Sequence, residues 1–225
     1  MTETIQRLYS YILSKEHHKY RRELDLNLAD SFCAEGLEPT KRVSRRLRAV
    51  LAAERPVILE GERIAMLRTT GKLPAIFTDA EWADIKGRHF IHELGSVCNI
   101  APDYATTIAA GLDSRRSEAS LRLDACGRSG DEEGRHFLES MISEIDAVLD
   151  LVGRYEAEAR RLGRDDIADT FARVPRLGAT TFREALQSFR VLPFVLWCEG
   201  EYHNTVGRLD QYMLPYLEAD LASGR

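Results

Sequence analysis

A single apolar stripe in the second half of this 225-residue chain constrains its fold more than any other feature. Apolar residues recur there at intervals of three and four positions: Phe137, Met141, Ile145, Val148, Val152, Tyr155, Ala159 and Leu162. Because an α-helix turns once every ~3.6 residues, this spacing keeps all of these side chains on one face. The stripe therefore predicts one long helix that buries this face against neighbouring helices.

The rest of the sequence indicates a mainly α-helical protein with few short strands. Residues 78–81 and 181–184 both read Thr-x-x-Glu, which is the spacing of a capping box at the start of a helix. Residues 56–77 show weak periodicity and are expected to form loops or short strands. Residues 114–134 are expected to form an exposed connection with one helical turn. Pro193 is expected to interrupt the helix that contains it, because proline has no amide hydrogen to donate.

Charge and composition exclude several classes of protein. The chain has 31 basic and 36 acidic residues and a formal charge of −5, so bulk charge does not favour nucleic-acid binding. The longest apolar run, residues 191–198, is too short to span a bilayer, which needs ~20 residues. The polar start lacks the features of an export signal, and the cysteines form no CxxC pair. We therefore predict a cytoplasmic protein with no nucleic-acid partner and no membrane partner.

General chemical motifs are weak in this sequence. His89 and His92 lie one helical turn apart, but Ser96 stands where the second histidine of an HExxH zinc motif would be. Ordinary hydrogen-bonded histidines explain this pattern better than a metal site, so no metal ligand is predicted. Basic residues cluster after Pro39, but without a glycine-rich loop they indicate a solvated helix face. Asp210, taken alone, is explained by a structural ion pair more readily than by a binding site.

Two blocks near the C-terminus are more specific. Residues 181–189 read TFREALQSF, and residues 207–216 read GRLDQYMLPY. In this order and spacing they resemble the glycyl radical enzymes of the pyruvate formate-lyase family, in particular the diol dehydratase and choline lyase branch. Shorter stretches also resemble the N-terminal landmarks of that family: residues 60–63, 77–78, 102–104 and 111–112.

The resemblance implies an α/β barrel surrounded by helices, of which residues 1–225 are the mainly helical N-terminal portion of one pyruvate formate-lyase-type domain. The family's reaction needs a cysteine that becomes a thiyl radical, usually in Gly-Cys-x-Glu, and a radical-storing glycine, usually in Arg-Val-x-Gly. Neither motif is present in full: Cys198 has Gly200 in the acid's position, and Arg190-Val191 leads to Pro193 in the glycine's position. We therefore predict no catalytic residue, no bound cofactor and no glycyl radical in these residues.

The resemblance carries three substrate-binding positions over to this chain. The Asp of the family's Gly-Arg-x-Asp-Gln block corresponds to Asp210, and the Tyr eight residues earlier corresponds to Tyr202. A carboxylate can orient a cationic or hydroxylated substrate, and a phenol can donate or accept one hydrogen bond. Diol dehydratase relatives have a His where this chain has Asn99, which cannot carry a proton at neutral pH. This difference argues against a glycerol-type or propanediol-type dehydration.

These features predict a fragment of a glycyl radical enzyme that contributes part of a substrate pocket and is inactive alone. By resemblance, the complete enzyme would be a lyase or a formate C-acetyltransferase-like enzyme of anaerobic metabolism. It would act on a small-molecule metabolite after activation by a radical S-adenosylmethionine enzyme. Two alternatives remain: a subunit of a split enzyme joined by a complementing chain, and a non-catalytic helical binding or regulatory module.

Overall fold

The computed structural model describes residues 1–88 and 99–224, with the backbone alone at Asn99. In chain order the elements are α1 (Glu3–Leu13), a 3-10 helix (Glu16–Tyr20), α2 (Leu28–Ala34), α3 (Pro39–Ala53), α4 (Asp79–Gly87), β1 (Asn99–Ile100), α5 (Tyr104–Ala110), α6 (Leu112–Ser129), α7 (Glu132–Arg161), α8 (Asp165–Arg173), α9 (Phe182–Glu199), β2 (His203–Asn204) and α10 (Leu209–Ala222). The described part is mainly helical, as predicted. The predictions for His89 and His92 lie outside the described residues.

The long predicted helix is α7, and it forms the centre of the core. Its stripe is buried from Ile145 to Ala159, whereas Phe137 and Leu162 near its two ends are exposed. Helices α3, α6 and α8 pack around it, and α9 packs against α3 and α8. Although α7 is 30 residues long, neither it nor any other helix in the described ranges is apolar enough to cross a membrane.

The prediction of an exposed connection over residues 114–134 is wrong, because α6 occupies most of that stretch. Leu112 and Ala119 are the buried residues of α6, and its other side chains face outward or are half-buried. Arg116 bridges to Asp146 of α7 at 2.6 Å and fixes the outer side of the contact. The polar composition correctly indicated that this stretch is exposed. It did not exclude a helix, because an exposed helix needs no apolar stripe.

Pro193 does not interrupt α9, contrary to the expectation from its missing amide hydrogen. The helix runs through it from Phe182 to Glu199. Val191, Phe194 and Cys198 on either side of the proline are buried in the main core. Their packing offsets the lost hydrogen bond, so the helix continues.

One predicted capping box forms completely, and the other forms one of its two hydrogen bonds. At α4 the Thr78 hydroxyl accepts from the Glu81 amide at 3.3 Å, and the Glu81 carboxylate accepts from the Thr78 amide at 2.8 Å. At α9 the Thr181 hydroxyl accepts from the Glu184 amide at 3.1 Å. The Glu184 carboxylate instead accepts from the amide of Thr180, one residue further back, at 2.7 Å.

A buried segment without regular structure, residues 65–70, crosses the core between α7 and α9. Side chains satisfy its backbone, as a buried chain requires. The Gln187 side chain accepts from the Ala65 amide at 2.9 Å and donates to the Ala65 carbonyl at 2.7 Å. The Tyr155 hydroxyl accepts from the Leu67 amide and donates to the Leu67 carbonyl, at 3.2 and 3.1 Å. These bonds fix the position of Arg68, which belongs to the candidate site.

Candidate functional site

Two very short parallel strands bring distant parts of the chain together at one end of the molecule. In β1 and β2, Asn99 pairs with His203 and Ile100 pairs with Asn204. The Thr205 amide then donates to the Ile100 carbonyl at 3.1 Å. Because Tyr202 directly precedes β2, this register places the backbone of Asn99 beside the residue that follows Tyr202. Two of the three predicted substrate-binding positions are therefore brought close together.

Helix α5 holds β1 in place. The Asp103 carboxylate caps α5 by accepting from the Thr106 amide at 3.0 Å, and hydrogen bonds from Thr106 lower the pKa of Asp103. Tyr104 is buried, with its ring edge-on to Phe189 of α9 at a centroid distance of 5.0 Å. The Pro-Asp-Tyr landmark thus starts a helix directly after the strand and anchors that helix to α9.

Tyr202 belongs to a layered aromatic and cationic cluster. Its ring is edge-on to Trp197 at a centroid distance of 5.7 Å, and the side chain is 54% exposed. The guanidinium of Arg68 lies 3.3 Å from the Trp197 ring centroid, which is close cation–π contact. Burial lowers the pKa of Arg68 below its ordinary value, and the charge of Arg21 lowers it further. The cluster fixes the base of Tyr202 and leaves part of its surface open to a ligand.

Sequence reasoning missed Arg68 and Trp197 as neighbours of the candidate site. The two residues are far apart in the sequence and match no spacing rule, so no local pattern could indicate their contact. Arg46 of α3 was missed for the same reason: its guanidinium donates to the carbonyl of Glu199, at the end of α9.

Asp210 lies in the first turn of α10, immediately after the turn at Gly207. Its carboxylate is 3.8 Å from the guanidinium of Arg208, and both side chains are more than 70% exposed. The Tyr212 hydroxyl, two residues further on, donates to the Val206 carbonyl at 2.7 Å and ties the preceding loop to the helix. The structure thus contains an ion pair of Asp210, which the sequence indicated as the alternative to a substrate-binding role. An exposed pair of this length contributes little to stability, so Asp210 has no strong structural role.

The described cysteines differ in their surroundings. Cys33 is exposed, Cys126 is half-buried and Cys198 is buried, and none of them forms a disulfide. Burial raises the pKa of the Cys198 thiol well above its ordinary value, so it is packed as a neutral apolar group. Across residues 1–88 and 99–224, no group of three or more His, Cys, Asp or Glu side chains is placed to hold a metal ion.

The fold is shared with solved glycyl radical enzyme structures. A structure on 1,2-propanediol dehydration in Roseburia inulinivorans matches with a TM-score of 0.76 and 22% identity, over all of this chain and 35% of that one. The B12-independent glycerol dehydratase of Clostridium butyricum matches with a TM-score of 0.73 and 19% identity, over 96% of this chain and 36% of that one. This chain therefore spans about a third of the length of the structures it matches.

Curated sequences give a second comparison. An isethionate sulfite-lyase of Nitratidesulfovibrio vulgaris is 30% identical over 139 residues, which cover 55% of this chain and 17% of that protein. An isethionate sulfite-lyase of Desulfovibrio desulfuricans is 28% identical over 139 residues, which again cover 55% of this chain and 17% of that protein.

The family assignment rests on a match to a family model. The model of pyruvate formate lyase-like proteins matches residues 76–225, two thirds of the chain, and includes both C-terminal blocks. The resemblance drawn from those blocks is confirmed, and the chain belongs to the pyruvate formate lyase-like family.

Proposed function

We propose that this chain forms the N-terminal helical part of a glycyl radical enzyme, contributes one wall of its substrate pocket, and has no turnover alone. One observation carries the proposal: these 225 residues include a match to the family model and contain neither Gly-Cys-x-Glu nor Arg-Val-x-Gly. Acid and base groups move protons and leave strong C–H bonds intact, so they cannot replace hydrogen-atom abstraction. The residues that carry the radical must come from other polypeptide sequence.

The pocket wall consists of Tyr202, Asp210 and Asn99. The half-exposed Tyr202 ring packs against Trp197, which contacts Arg68, and a phenol is a group that can donate or accept a hydrogen bond. The exposed Asp210 carboxylate can accept hydrogen bonds from a hydroxylated or cationic substrate. The named relatives act on isethionate, 1,2-propanediol and glycerol, which all suggest a small hydroxylated metabolite. Asn99 in place of a histidine makes the two diols the less favoured members of this class.

The absence of turnover can be tested with the purified chain. It is incubated under strict anoxia with isethionate, 1,2-propanediol and glycerol, in the presence of a radical S-adenosylmethionine activating enzyme. We expect no substrate loss and no glycyl radical signal in the electron paramagnetic resonance spectrum. Conversion of any of the three compounds by this chain alone would overturn the proposal.

The pocket contribution is tested by combining this chain with polypeptide sequence that supplies both radical motifs, either as a second chain or in one joined chain. We expect activity from the combination. Asp210→Asn and Tyr202→Phe should each reduce turnover by roughly tenfold to a hundredfold, as expected when a hydrogen bond to substrate is lost. Asp124→Asn, at an exposed position of α6, is the matched control and should leave turnover unchanged. Equal effects of Asp210→Asn and Asp124→Asn would remove Asp210 from the pocket.

A further inference from the structure

Two distant segments of the chain run side by side and bring basic side chains together. Arg22, which follows the 3-10 helix, pairs in parallel with Thr70. Its amide donates to the Thr69 carbonyl at 2.8 Å. Arg21 and Arg68 belong to these two segments, and the charge of Arg21 adds to burial in lowering the pKa of Arg68. The two guanidinium groups are therefore within electrostatic range of each other.

The 3-10 helix adds two imidazoles to the same place. The rings of His17 and His18 are edge-on, with a centroid distance of 4.4 Å. Burial lowers the pKa of His17, and the charges of Arg21 and Arg68 lower it further. Burial also lowers the pKa of His18, followed by positive charges that include those of the same two arginines. These basic groups thus repel one another when charged.

Neither arginine has a partner for its charge. Among residues 1–88 and 99–224, Arg21 and Arg68 form no ion pair and donate no side-chain hydrogen bond. The Nε of Arg21 is buried, but its two terminal nitrogens keep accessible surface, as do all nitrogens of the Arg68 guanidinium. A guanidinium that stacks on a ring, as Arg68 does on Trp197, keeps its N–H donors free in its own plane. Donors of both side chains can therefore reach a ligand.

The carboxylates near these arginines are engaged elsewhere. Glu54 favours the charged form of Arg68, but its oxygens accept from the amides of Thr69 and Thr70 at 2.8 and 2.9 Å. Glu16 of the 3-10 helix accepts from the hydroxyl of residue 14 at 3.0 Å. Positive charges that are held close together without such partners attract a counter-anion.

From this geometry we infer that Arg21 and Arg68 form a binding site for a phosphate group. The planar fork of N–H donors on each guanidinium matches two oxygens of this group. A phosphate group carries about −1.5 to −2 charges at pH 7, which two guanidinium groups balance better than one carboxylate would. The Trp197 stack holds the Arg68 fork in place before the anion binds, so that less conformational entropy is lost on binding.

Trp197 gives this site an optical signal of its own. The chain has two tryptophans, and Trp82→Phe leaves Trp197 as the only one. This change is conservative, because Trp82 stacks on Phe77 at a centroid distance of 6.1 Å and a phenyl ring can stack in its place. Since the Arg68 guanidinium contacts the Trp197 ring, an anion bound to Arg68 should change the fluorescence of Trp197.

The test titrates the full 225-residue Trp82→Phe chain with inorganic phosphate, and with chloride at the same ionic strength. We expect a saturable change in fluorescence, with phosphate bound at least tenfold more tightly than chloride. Butyl phosphate distinguishes two sources of the group. Binding tighter than that of inorganic phosphate supports the site with an organic phosphate as its ligand, and equal binding supports it with the free ion.

Variants are compared by isothermal titration with phosphate. Arg21→Gln and Arg68→Met should each weaken binding by tenfold or more. Arg68→Lys should weaken it by a smaller factor, because lysine keeps the charge and loses the planar fork. Arg63→Gln is the matched control and should leave affinity unchanged, since Arg63 is an exposed arginine of the segment that leads to Arg68.

Three outcomes would overturn the inference. Equal affinity for phosphate and chloride would mean that the anions only screen charge. Equal losses in Arg63→Gln and Arg21→Gln would mean that binding depends on net charge alone. Absence of saturable binding by a chain whose circular dichroism shows the native helical content would mean that no site exists. All of these readouts measure binding without turnover, so they are independent of the proposed function.

Discussion

At the scale of single residues, buried charged side chains hold the segment that lacks regular structure. Glu54, at the end of α3, is only 2% exposed, and its carboxylate accepts from the amides of Thr69 and Thr70 at 2.8 and 2.9 Å. It also accepts from the Thr69 hydroxyl. Arg154 of α7 closes the same corner by donating to the carbonyls of Glu54 and Leu51, each at 2.6 Å. One carboxylate thus connects α3 to the segment that carries Arg68.

Replacing Glu54 should therefore be costly. Glu54→Ala leaves three buried donors without an acceptor, and we expect a loss of about 3 kcal/mol in the free energy of unfolding. Urea denaturation followed by circular dichroism measures this loss. Glu133→Ala on the exposed side of α7 is the control and should change stability by less than about 0.5 kcal/mol. Similar stability of the two variants would contradict the role given to Glu54.

The ion pair between Arg42 and Glu81 should make stability depend on pH. Arg42 is buried and donates two hydrogen bonds to the Glu81 carboxylate, at 2.8 and 3.0 Å. Hydrogen bonds from Arg42, followed by one from the Thr78 backbone, lower the pKa of Glu81 from 4.5 to about 2. Because the folded pKa lies below the unfolded one, this stabilisation is complete above pH 4.5 and is lost as the pH falls toward 2.

Glu81→Gln should therefore be less stable than the unmodified chain at pH 7, and the difference should shrink between pH 4.5 and pH 2. Guanidinium denaturation at a series of pH values measures it. The exposed control Glu133→Gln should show no such trend. A difference between Glu81→Gln and the unmodified chain that stays constant down to pH 2 would show that the pair is not responsible.

At the scale of elements, two glycines allow backbone segments to approach closely. The loop after α8 lies against the end of α5, where the Ala179 amide donates to the Ile108 carbonyl at 2.9 Å. A Cβ at Gly178 would overlap the carbonyl oxygen of Ala109. At Gly111, where α5 meets α6, φ is +80° and a Cβ would overlap the backbone of residues 176–178. The Gly-Leu landmark thus marks a contact between two backbone segments.

Gly178→Ala should lower the free energy of unfolding by more than about 2 kcal/mol, because the clash involves backbone that cannot move away. Gly127→Ala is the matched control: it lies within α6, and an added Cβ there meets nothing. That variant should gain roughly 0.5–1 kcal/mol from better helix propensity. Urea denaturation of both variants tests the pair, and equal shifts would contradict the close approach.

At the scale of the whole molecule, the described chain leaves apolar helix faces uncovered. The exposed apolar residues of α1 are Ile5, Tyr9, Ile12 and Leu13, and those of α10 are Leu214, Leu217 and Leu221. Contiguous exposed apolar surface favours association in water. We expect the purified chain to self-associate.

Analytical ultracentrifugation over a range of concentrations tests this expectation. Leu217→Lys together with Leu221→Lys should shift the chain toward monomer, because a charge on each uncovered position opposes association. Leu121→Lys is the control, since Leu121 is 71% exposed and is the one exposed large apolar residue of α6. A single monomeric species at every concentration, with little binding of a hydrophobic dye, would contradict the prediction.

Much of the helical framework could be predicted from the sequence, because it depends on short-range spacing. The stripe that defines α7 and the box at residues 78–81 each involve residues within a few turns of one another. The family blocks likewise lie in contiguous stretches. Where local reasoning was wrong, at α6 and at Pro193, the outcome depended on packing partners that lie elsewhere in the chain.

Helical periodicity, the α4 cap and the family can be recognised in short stretches of the sequence, since each is a property of neighbouring residues. The pairing of Asn99 with His203, about a hundred residues away, becomes visible in the folded chain alone. The same is true of the contact between Arg68 and Trp197, and of the cavity that both Glu144 of α7 and Glu199 of α9 line. Such contacts form when packed helices close long stretches of chain. Their free energy comes from burial and hydrogen bonding between distant residues, which no local pattern encodes.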